Sequence, residues 1–216
     1  MSGGRQTKQF GFGRIWRMTT PPRADSTRDR ILEAGKAEFA QYGIAGARVD
    51  RIAKSAKTSK ERVYAYFRSK EELYRFIAAQ ELDAVAEATR MDPTDLPGYA
   101  GRVHDYFTAH RDNLRLMRWG QLEFAGIGPD DATRGTVTRK SRQIRRAQRE
   151  GHLDPSWDPL DILMFVNQLA MAWADQPDLA ETAAPQARAA FLSERRAAIV
   201  AAVERLFPAT HSTDTD

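Results

Sequence analysis

Residues 63–74 read VYAYFRSKEELY. Val63 and Phe67 are one helical turn apart, so both face the same side of a helix, which we expect to be the buried side. Ser69 lies four residues before the next apolar residue, Leu73, and Glu71 and Glu72 lie between them. This arrangement is typical of a helix start. The stretch therefore predicts the end of one short helix, a break, and the beginning of another.

Two more helices are predicted upstream. The first runs from Ser26 to about Gln41, where Gly43 is placed to end it as a glycine in the left-handed conformation. The second is short, and its apolar residues follow the spacing of a single helix face: Val49, Ile52, Ala53 and Ala56. A three-residue turn follows, and Ser59 is suited to cap the helix after it. Two short helices joined by such a turn are typical of a helix-turn-helix, which presents its second helix to the major groove of DNA.

The remainder of the chain is also predicted to be helical. Prolines and glycines divide it into segments rich in good helix formers, and no alternation of β-branched residues indicates a strand. The predicted helices cover about 97–110, 111–124, 130–151, 158–176 and 183–207. With the first four, they make nine helices and an all-α fold.

Charge is distributed unevenly along the chain. Residues 1–72 contain 16 Lys and Arg and 8 Asp and Glu, a net charge of +8, whereas residues 73–216 have a net charge of −4. A basic N-terminal third is the asymmetry expected of a polyanion-binding module joined to a second part, although a solvated basic surface would produce it too.

The sequence does not favour an enzyme. It has no cysteine, which excludes disulfides, thiolate metal sites and a cysteine nucleophile. No Ser/His/acid arrangement, glycine-rich phosphate loop or paired-carboxylate motif stands out, and His104 and His110 do not share a helix face. We therefore predict no catalytic residue, no metal site and no cofactor.

Residues 26–75 resemble the N-terminal domain of the TetR family of transcriptional regulators. The resemblance is carried by Arg30-Ile31-Leu32-Glu33-Ala34, Phe39, Tyr42-Gly43, Val49, Ile52-Ala53, Ser59 and the stretch 63–74. It implies a three-helix DNA-binding domain over 25–74, with the helix-turn-helix at about 48–67, and a helical ligand-binding and dimerisation domain over 75–208.

The two ends of the chain, 1–24 and 209–216, are expected to be disordered. The first 20 residues contain basic side chains, four glycines and no acidic residue. Either translation starts at Met18 and the preceding residues are not part of the biological chain, or the segment is a basic arm that reaches along a DNA groove.

The resemblance assigns DNA contacts to individual residues. Ser59, Tyr66 and Lys70 match family positions that contact phosphate. Arg48 replaces a threonine that is common in the family, and Lys57 replaces a glycine, so we add both as phosphate contacts. Lys57 would adopt a positive φ, at a cost of about 1 kcal/mol. Phosphate contacts fix the register of the protein on DNA but do not read its sequence.

Base readout is assigned to Lys60, Arg62 and Tyr64. Lysine or arginine can donate to guanine O6 and N7, and the tyrosine ring can pack on a thymine methyl group. The alternatives are a surface cation for Arg62, core packing against the first helix for Tyr64, and a solvated lysine at a helix start for Lys70.

The last two helices are predicted to form a homodimer interface. Their apolar residues occupy more than one face, so each helix needs two partners, and a second subunit can supply one of them. A two-fold dimer presents two recognition helices about one DNA turn apart, which favours a near-palindromic operator.

The resemblance also implies a small-molecule pocket among helices 5 to 8. The candidate residues are aromatic, methionine and polar side chains: Tyr106, Phe107, His110, Met117, Trp119, Glu123, Phe124, Met164, Asn167 and Trp173. Such a lining suits an apolar ligand, often aromatic or cationic, but residues of these types at helical spacing also form ordinary cores. Asn167 needs a partner if it is buried, and it could pair across the dimer instead.

The predicted seventh helix carries a dense group of cations: Arg139, Lys140, Arg142, Arg145, Arg146 and Arg149. A solvated face is the simplest interpretation. An anionic ligand or an additional DNA contact is the alternative.

These patterns predict a cytoplasmic, sequence-specific DNA-binding regulator that joins the nucleoid when bound to DNA and does not associate with membranes. We expect a homodimeric repressor that is released from a double-stranded, near-palindromic operator by a small-molecule effector. The alternative is a ligand-independent DNA-binding or architectural protein whose C-terminal dimer module is purely structural. The sequence identifies neither the ligand nor the operator.

Overall fold

The computed structural model describes residues 26–124, 131–176, 178–179, 182 and 187–209. Nine helices are defined over these residues: α1 (Ser26–Gly46), α2 (Val49–Ser55), α3 (Lys60–Tyr66), α4 (Lys70–Thr89), α5 (Leu96–Ala109), α6 (Arg111–Glu123), α7 (Asp131–Arg149), α8 (Pro159–Met171) and α9 (Arg188–Leu206). These ranges contain no strand, and the all-α prediction is confirmed. The chain ends that we expect to be disordered fall outside them, apart from Ala209.

Helix α1 is longer than predicted because it does not stop at Gln41. Gly43 has φ 70° and ψ −179°, so the helix is interrupted where the sequence places the glycine. The chain then resumes for a short helical stretch to Gly46, and the Ala47 N–H donates to the Gly43 carbonyl at 3.2 Å. The glycine therefore kinks α1 instead of ending it and directs the chain into α2.

The first three helices share a core with the start of α4 and one residue of α6. Deeply buried side chains of this core include Ile31, Phe39, Ile52, Val63, Phe67, Leu73, Ile77 and Leu116. Helices α2 and α3 have 7 residues each, too few to be stable in isolation. Their positions are thus set by burial of these side chains, at about 1.5–3 kcal/mol for each large one.

Capping fixes the limits of the recognition helix, α3, and of α4. The Ser59 hydroxyl accepts from the Arg62 N–H at 3.2 Å, and the Ser69 hydroxyl accepts from the Glu72 N–H at 3.0 Å. Both predicted caps are confirmed. Lys57, in the turn between α2 and α3, has φ 52°, the left-handed conformation predicted for this position.

Helix α5 lies at the centre of a second core, which α8 and α9 complete. It packs against α4, α6, α8 and α9 and buries Tyr99, Val103 and Phe107. Helix α4 joins the two cores, because Leu73 belongs to the first and Val85 to the second. With 20 residues, α4 is about 30 Å long and extends from the helix-turn-helix into the second core.

Candidate DNA-binding surface and C-terminal site

The three predicted base-reading residues lie on the exposed side of α3. Arg62 is exposed, and Tyr64 is 44% exposed. The Lys60 ammonium pairs with Asp50 of α2, with Nζ 3.1 Å from Oδ1. The hydrogen bond to Asp50, and then the charge of that carboxylate, raise the pKa of Lys60. DNA must therefore compete with Asp50 for this lysine.

The predicted phosphate contacts surround α3. Arg48 and Lys57 are exposed, and Ser59 is exposed although its hydroxyl caps α3. Tyr66 is partly buried against the first core. Lys70 is tied to the protein, because its Nζ donates to the carbonyl oxygens of Ala45 at 3.1 Å and Ala47 at 3.4 Å.

The tie made by Lys70 differs from the solvated lysine considered from the sequence. Its ammonium lies at the end of α1, where carbonyl groups have no helical partner and a cation is favourable. Lys70 therefore positions the connection between α1 and α2 in addition to offering a charge.

Helix α6 holds the kink of α1 from both sides. The Glu123 carboxylate accepts from the Ile44 N–H at 2.7 Å and from the Ala45 N–H at 2.6 Å. The Trp119 indole N–H donates to the Ala40 carbonyl at 3.3 Å. We call these contacts of Trp119 and Glu123 with residues 40–45 the α1–α6 junction. Here an acceptor and a donor one turn apart on α6 satisfy backbone groups on the two sides of Gly43.

Further contacts flank the α1–α6 junction. The Tyr74 hydroxyl of α4 donates to the Leu116 carbonyl of α6 at 2.8 Å. The Phe124 ring lies 5.6 Å from the Tyr74 ring, and the Arg75 guanidinium lies over Phe124 at 4.9 Å. Trp119, Glu123 and Phe124 were predicted as pocket residues, but the structure places them against the DNA-binding helices.

The other predicted pocket residues are spread over several places. Tyr106 stacks on His110 with ring centroids 4.4 Å apart and meets Phe107 edge-on at 5.4 Å. Met117 is partly buried against the second core, and Trp173 packs edge-on against Phe191 of α9. Met164 is 45% exposed on α8. The described contacts thus group Tyr106, Phe107 and His110, whereas Trp119, Glu123 and Phe124 lie at or beside the α1–α6 junction.

Asn167 belongs to a polar network inside the C-terminal helices. The Lys140 ammonium of α7 donates to the Tyr99 hydroxyl at 2.8 Å, Tyr99 donates to Asn167 Oδ1 at 3.0 Å, and Asn167 Nδ2 donates to the Leu163 carbonyl at 2.9 Å. Burial raises the pKa of Tyr99 to about 12. Burial, and then the charge of Arg139, lower the pKa of Lys140 to about 8.

Tyr99 was missed at the sequence level because it resembles any aromatic core residue. Lys140 was seen only as one cation among several. The available signal was helical spacing: Lys140 lies four residues before Ile144, which is fully buried, so it shares the inward face of α7.

A cleft of about 440 Å³ opens between the C-terminal end of α4 and α7. Its lining combines acids, cations and a few apolar groups: Asp83, Ala86, Glu87, Arg90, Met91, Arg139, Lys140 and Gln143. None of the ten predicted pocket residues lines it. Its volume lies in the range of small-molecule sites, but its lining is more polar than the aromatic pocket expected from the sequence.

The described part of the chain contains no group of three or more His, Asp or Glu side chains that could hold a metal ion. Within it, no helix combines the length and apolar character needed to cross a bilayer.

Two family profiles match this chain. Residues 31–76 match the profile described as bacterial regulatory proteins, tetR family, and residues 95–205 match the tetracyclin repressor-like C-terminal domain. The chain belongs to the TetR family. The resemblance drawn from the sequence is thereby confirmed, and the second profile extends it to the C-terminal helices.

Individual relatives agree with this assignment. The transcriptional repressor SCO4008 of Streptomyces coelicolor is 37% identical over 153 residues, covering 69% of this chain and 79% of the relative. The transcriptional regulator RutR of Escherichia coli is 30% identical over 154 residues, covering 67% and 72%. The crystal structure of SCO4942 from Streptomyces coelicolor superposes with a TM-score of 0.75 at 56% identity, covering 84% of this chain and 98% of that one.

This TetR-family chain is a DNA-binding transcriptional regulator and not an enzyme, as predicted. Regulators of the family bind DNA operators and act as dimers.

Proposed function

We propose that this protein is a homodimeric repressor that a small-molecule effector releases from its operator. The observation that carries the proposal is the α1–α6 junction, where Glu123 and Trp119 hold the backbone on both sides of Gly43. The position of α6 is thereby coupled to the kink that leads into the helix-turn-helix.

Helix α6 is also tied to the C-terminal helices. Arg118 Nε donates to Asp175, just beyond α8, at 3.1 Å, and Asn113 Nδ2 donates to the Tyr106 hydroxyl of α5 at 2.8 Å. A ligand that prefers a different arrangement of these helices would shift α6 and with it the α1–α6 junction. It can change DNA affinity only by its differential affinity for the two arrangements.

The DNA contacts in this proposal follow the exposed surface of α3. Lys60, Arg62 and Tyr64 read base edges in the major groove. The phosphate contacts around them are made by Arg48, Lys57, Ser59, Tyr66 and Lys70. Over residues 26–72, 11 Lys and Arg against 7 Asp and Glu leave a net charge of +4, which favours binding of a polyanion by this domain.

The proposed dimer forms through α8 and α9. Leu160, Met164 and Phe165 of α8 are 45%, 45% and 46% exposed, and Leu206 of α9 is 44% exposed. Large apolar side chains grouped on two neighbouring helices are typical of a surface that another subunit covers. A two-fold symmetric operator requires a second copy of this chain, and that copy would cover the apolar surface of α8 and α9.

The test begins with selection of bound fragments from sheared genomic DNA at near-physiological salt. Enrichment of a short near-palindrome supports a sequence-specific dimer. The operator complex is then screened against a compound library, and a compound that lowers operator affinity supports release. Binding without enrichment that vanishes as salt rises would contradict the repressor and favour a ligand-independent DNA-binding or architectural protein with a purely structural C-terminal dimer module.

A further inference from the structure

The α4–α7 cleft presents cations whose charge the protein does not neutralise. Over the described residues, no carboxylate lies within ion-pair distance of Lys140 or Arg139. Glu87, which also lines the cleft, is paired with Arg90. The cations without an ion pair in the cleft therefore lie on α7, whereas Glu87 and Arg90 pair with each other at the C-terminal end of α4.

Lys140 is the unusual member of this group. The other cations of α7, such as Arg142 and Arg145, are exposed, whereas Lys140 is partly buried and its only described hydrogen bond is to the neutral hydroxyl of Tyr99. Withdrawing an ammonium from water without a nearby anion is costly, and this burial lowers the pKa of Lys140. An anion in the cleft would supply the missing charge.

We propose that the α4–α7 cleft binds a small organic anion, a carboxylate with an apolar body, whose headgroup pairs with Lys140 and Arg139. Ala86 and Met91 supply an apolar wall for the rest of the molecule. The cleft volume of about 440 Å³ accommodates a molecule of this kind. The chemistry differs from the apolar or cationic ligand that the predicted aromatic pocket suggests.

The site is connected to both ends of the molecule. A carboxylate that draws the Lys140 ammonium towards the cleft weakens its hydrogen bond to Tyr99, which in turn is bonded to Asn167 of the proposed dimer helix α8. Asp83 and Glu87 lie on α4, whose first residue, Lys70, contacts the end of α1. The regulatory consequence of binding rests on the proposed function, but the binding itself does not.

The test is calorimetry on the full chain at pH 7 with two carboxylates, 1-naphthoate and decanoate, and their neutral amides. We expect at least one carboxylate to bind at least about tenfold more tightly than its amide. In Lys140→Met this preference should disappear, whereas Lys140→Arg should keep it. Arg142→Met is the matched control, because it removes an exposed charge from α7 outside the cleft and should bind like the wild type.

Three results would contradict the proposed anion site. The first is that neither carboxylate binds with a dissociation constant below about 1 mM, and the second is that carboxylate and amide bind equally well. The third is unchanged binding by a Lys140→Met variant whose thermal unfolding shows it to be folded. The same ligands are then added to the selected operator complex. Binding by calorimetry without release of DNA would leave the anion site standing and count against the effector-controlled repressor, so the two failures are distinguishable.

Discussion

Glu123 and Ile44 are 79 residues apart, yet the Glu123 carboxylate accepts the Ile44 backbone N–H at 2.7 Å. The neighbouring N–H of Ala45 donates to the same carboxylate. Hydrogen bonds to a charged acceptor are stronger than those between neutral groups. The last residue of α6 therefore fixes the backbone at the kink that precedes the helix-turn-helix, and this makes the α1–α6 junction a place where the two parts of the chain can be uncoupled.

Replacing Glu123 with Gln should weaken the α1–α6 junction, although glutamine has nearly the same size and shape as glutamate. The amide can accept one of the two N–H groups, but its own NH₂ faces the other. We expect the free energy of unfolding to fall by about 1–2 kcal/mol and operator binding to weaken by about 0.5–2 kcal/mol. Urea unfolding and DNA anisotropy measure the two effects. Asp112 is an exposed acid at the other end of α6, and Asp112→Asn should bind the operator like the wild type. If both variants bind the operator equally well, the junction does not affect DNA binding.

Gly43→Ala tests the kink itself. A side chain is strained at φ 70° and ψ −179°, and an added Cβ would lie 2.6 Å from Glu123 Oε1 and 2.9 Å from Trp119 Cε3. We expect a loss of about 2–3 kcal/mol in the free energy of unfolding. Gly46→Ala is the control, because its Cβ would meet only the Tyr42 Cβ, at 3.4 Å. If chemical denaturation shows the same loss for both glycines, the kink is not the cause.

Lys57→Gly should change stability and DNA binding in opposite directions. Glycine adopts the observed φ of 52° without strain, so the free energy of unfolding should rise by about 1 kcal/mol. The lost cation should weaken binding to all DNA sequences. It should also reduce, by about one, the slope with which the logarithm of the binding constant falls with the logarithm of the salt concentration. Arg145→Ala, an exposed cation on α7, should leave binding unchanged. A stabilised variant with undiminished DNA affinity would show that Lys57 does not contact phosphate.

The local features were predictable because each is encoded within a few residues. The caps by Ser59 and Ser69 and the left-handed Lys57 depend on neighbours up to three positions away. Inward faces follow from periodicity, which is why Val63 and Phe67 were correctly predicted to be buried, whereas the ends of α1 and α8 differ from the predicted ones.

The partners of polar side chains were not predictable in the same way. Periodicity tells which face of α6 is turned inward, but not that Glu123 meets a kink 79 residues away. Lys70 looked like a helix-start lysine because nothing in its surroundings in sequence points to Ala45. Lys140 was hidden among other cations for the same reason, since its environment is created by α4 and α5.

Arg62→Ala separates base readout from a surface charge. If the exposed guanidinium donates to a base edge, its loss should cost about 1–3 kcal/mol on the preferred operator and relax preference at one base position. Selection from a randomised operator library measures the preference. Arg145→Ala again provides the charge control. A uniform loss over all sequences would assign Arg62 to phosphate, and no loss would make it a surface cation.

The lowered pKa of Lys140 predicts how the free energy of unfolding depends on pH. Its pKa is about 8 in the folded protein and 10.5 ordinarily, so between these values the unfolded chain binds the proton that the folded chain has lost. The free energy of unfolding should therefore rise with pH from about 8. Tyr99 acts oppositely, because its pKa is raised from 10.0 to about 12 and the unfolded chain loses its proton first above pH 10.

The window between pH 8 and 10 thus isolates Lys140, where the rise should reach about 2 kcal/mol. The charged and titratable groups that face it are Tyr99 of α5, Arg139 of α7, and Asp83, Glu87 and Arg90 of α4 or its C-terminal end, and the pKa of Tyr99 is raised to about 12, above this window. Urea unfolding across this range should show the rise in wild type and not in Lys140→Met. A saturating carboxylate in the cleft favours the charged lysine and should move the rise to higher pH; parallel curves for the two proteins would mean that Lys140 keeps its ordinary proton affinity.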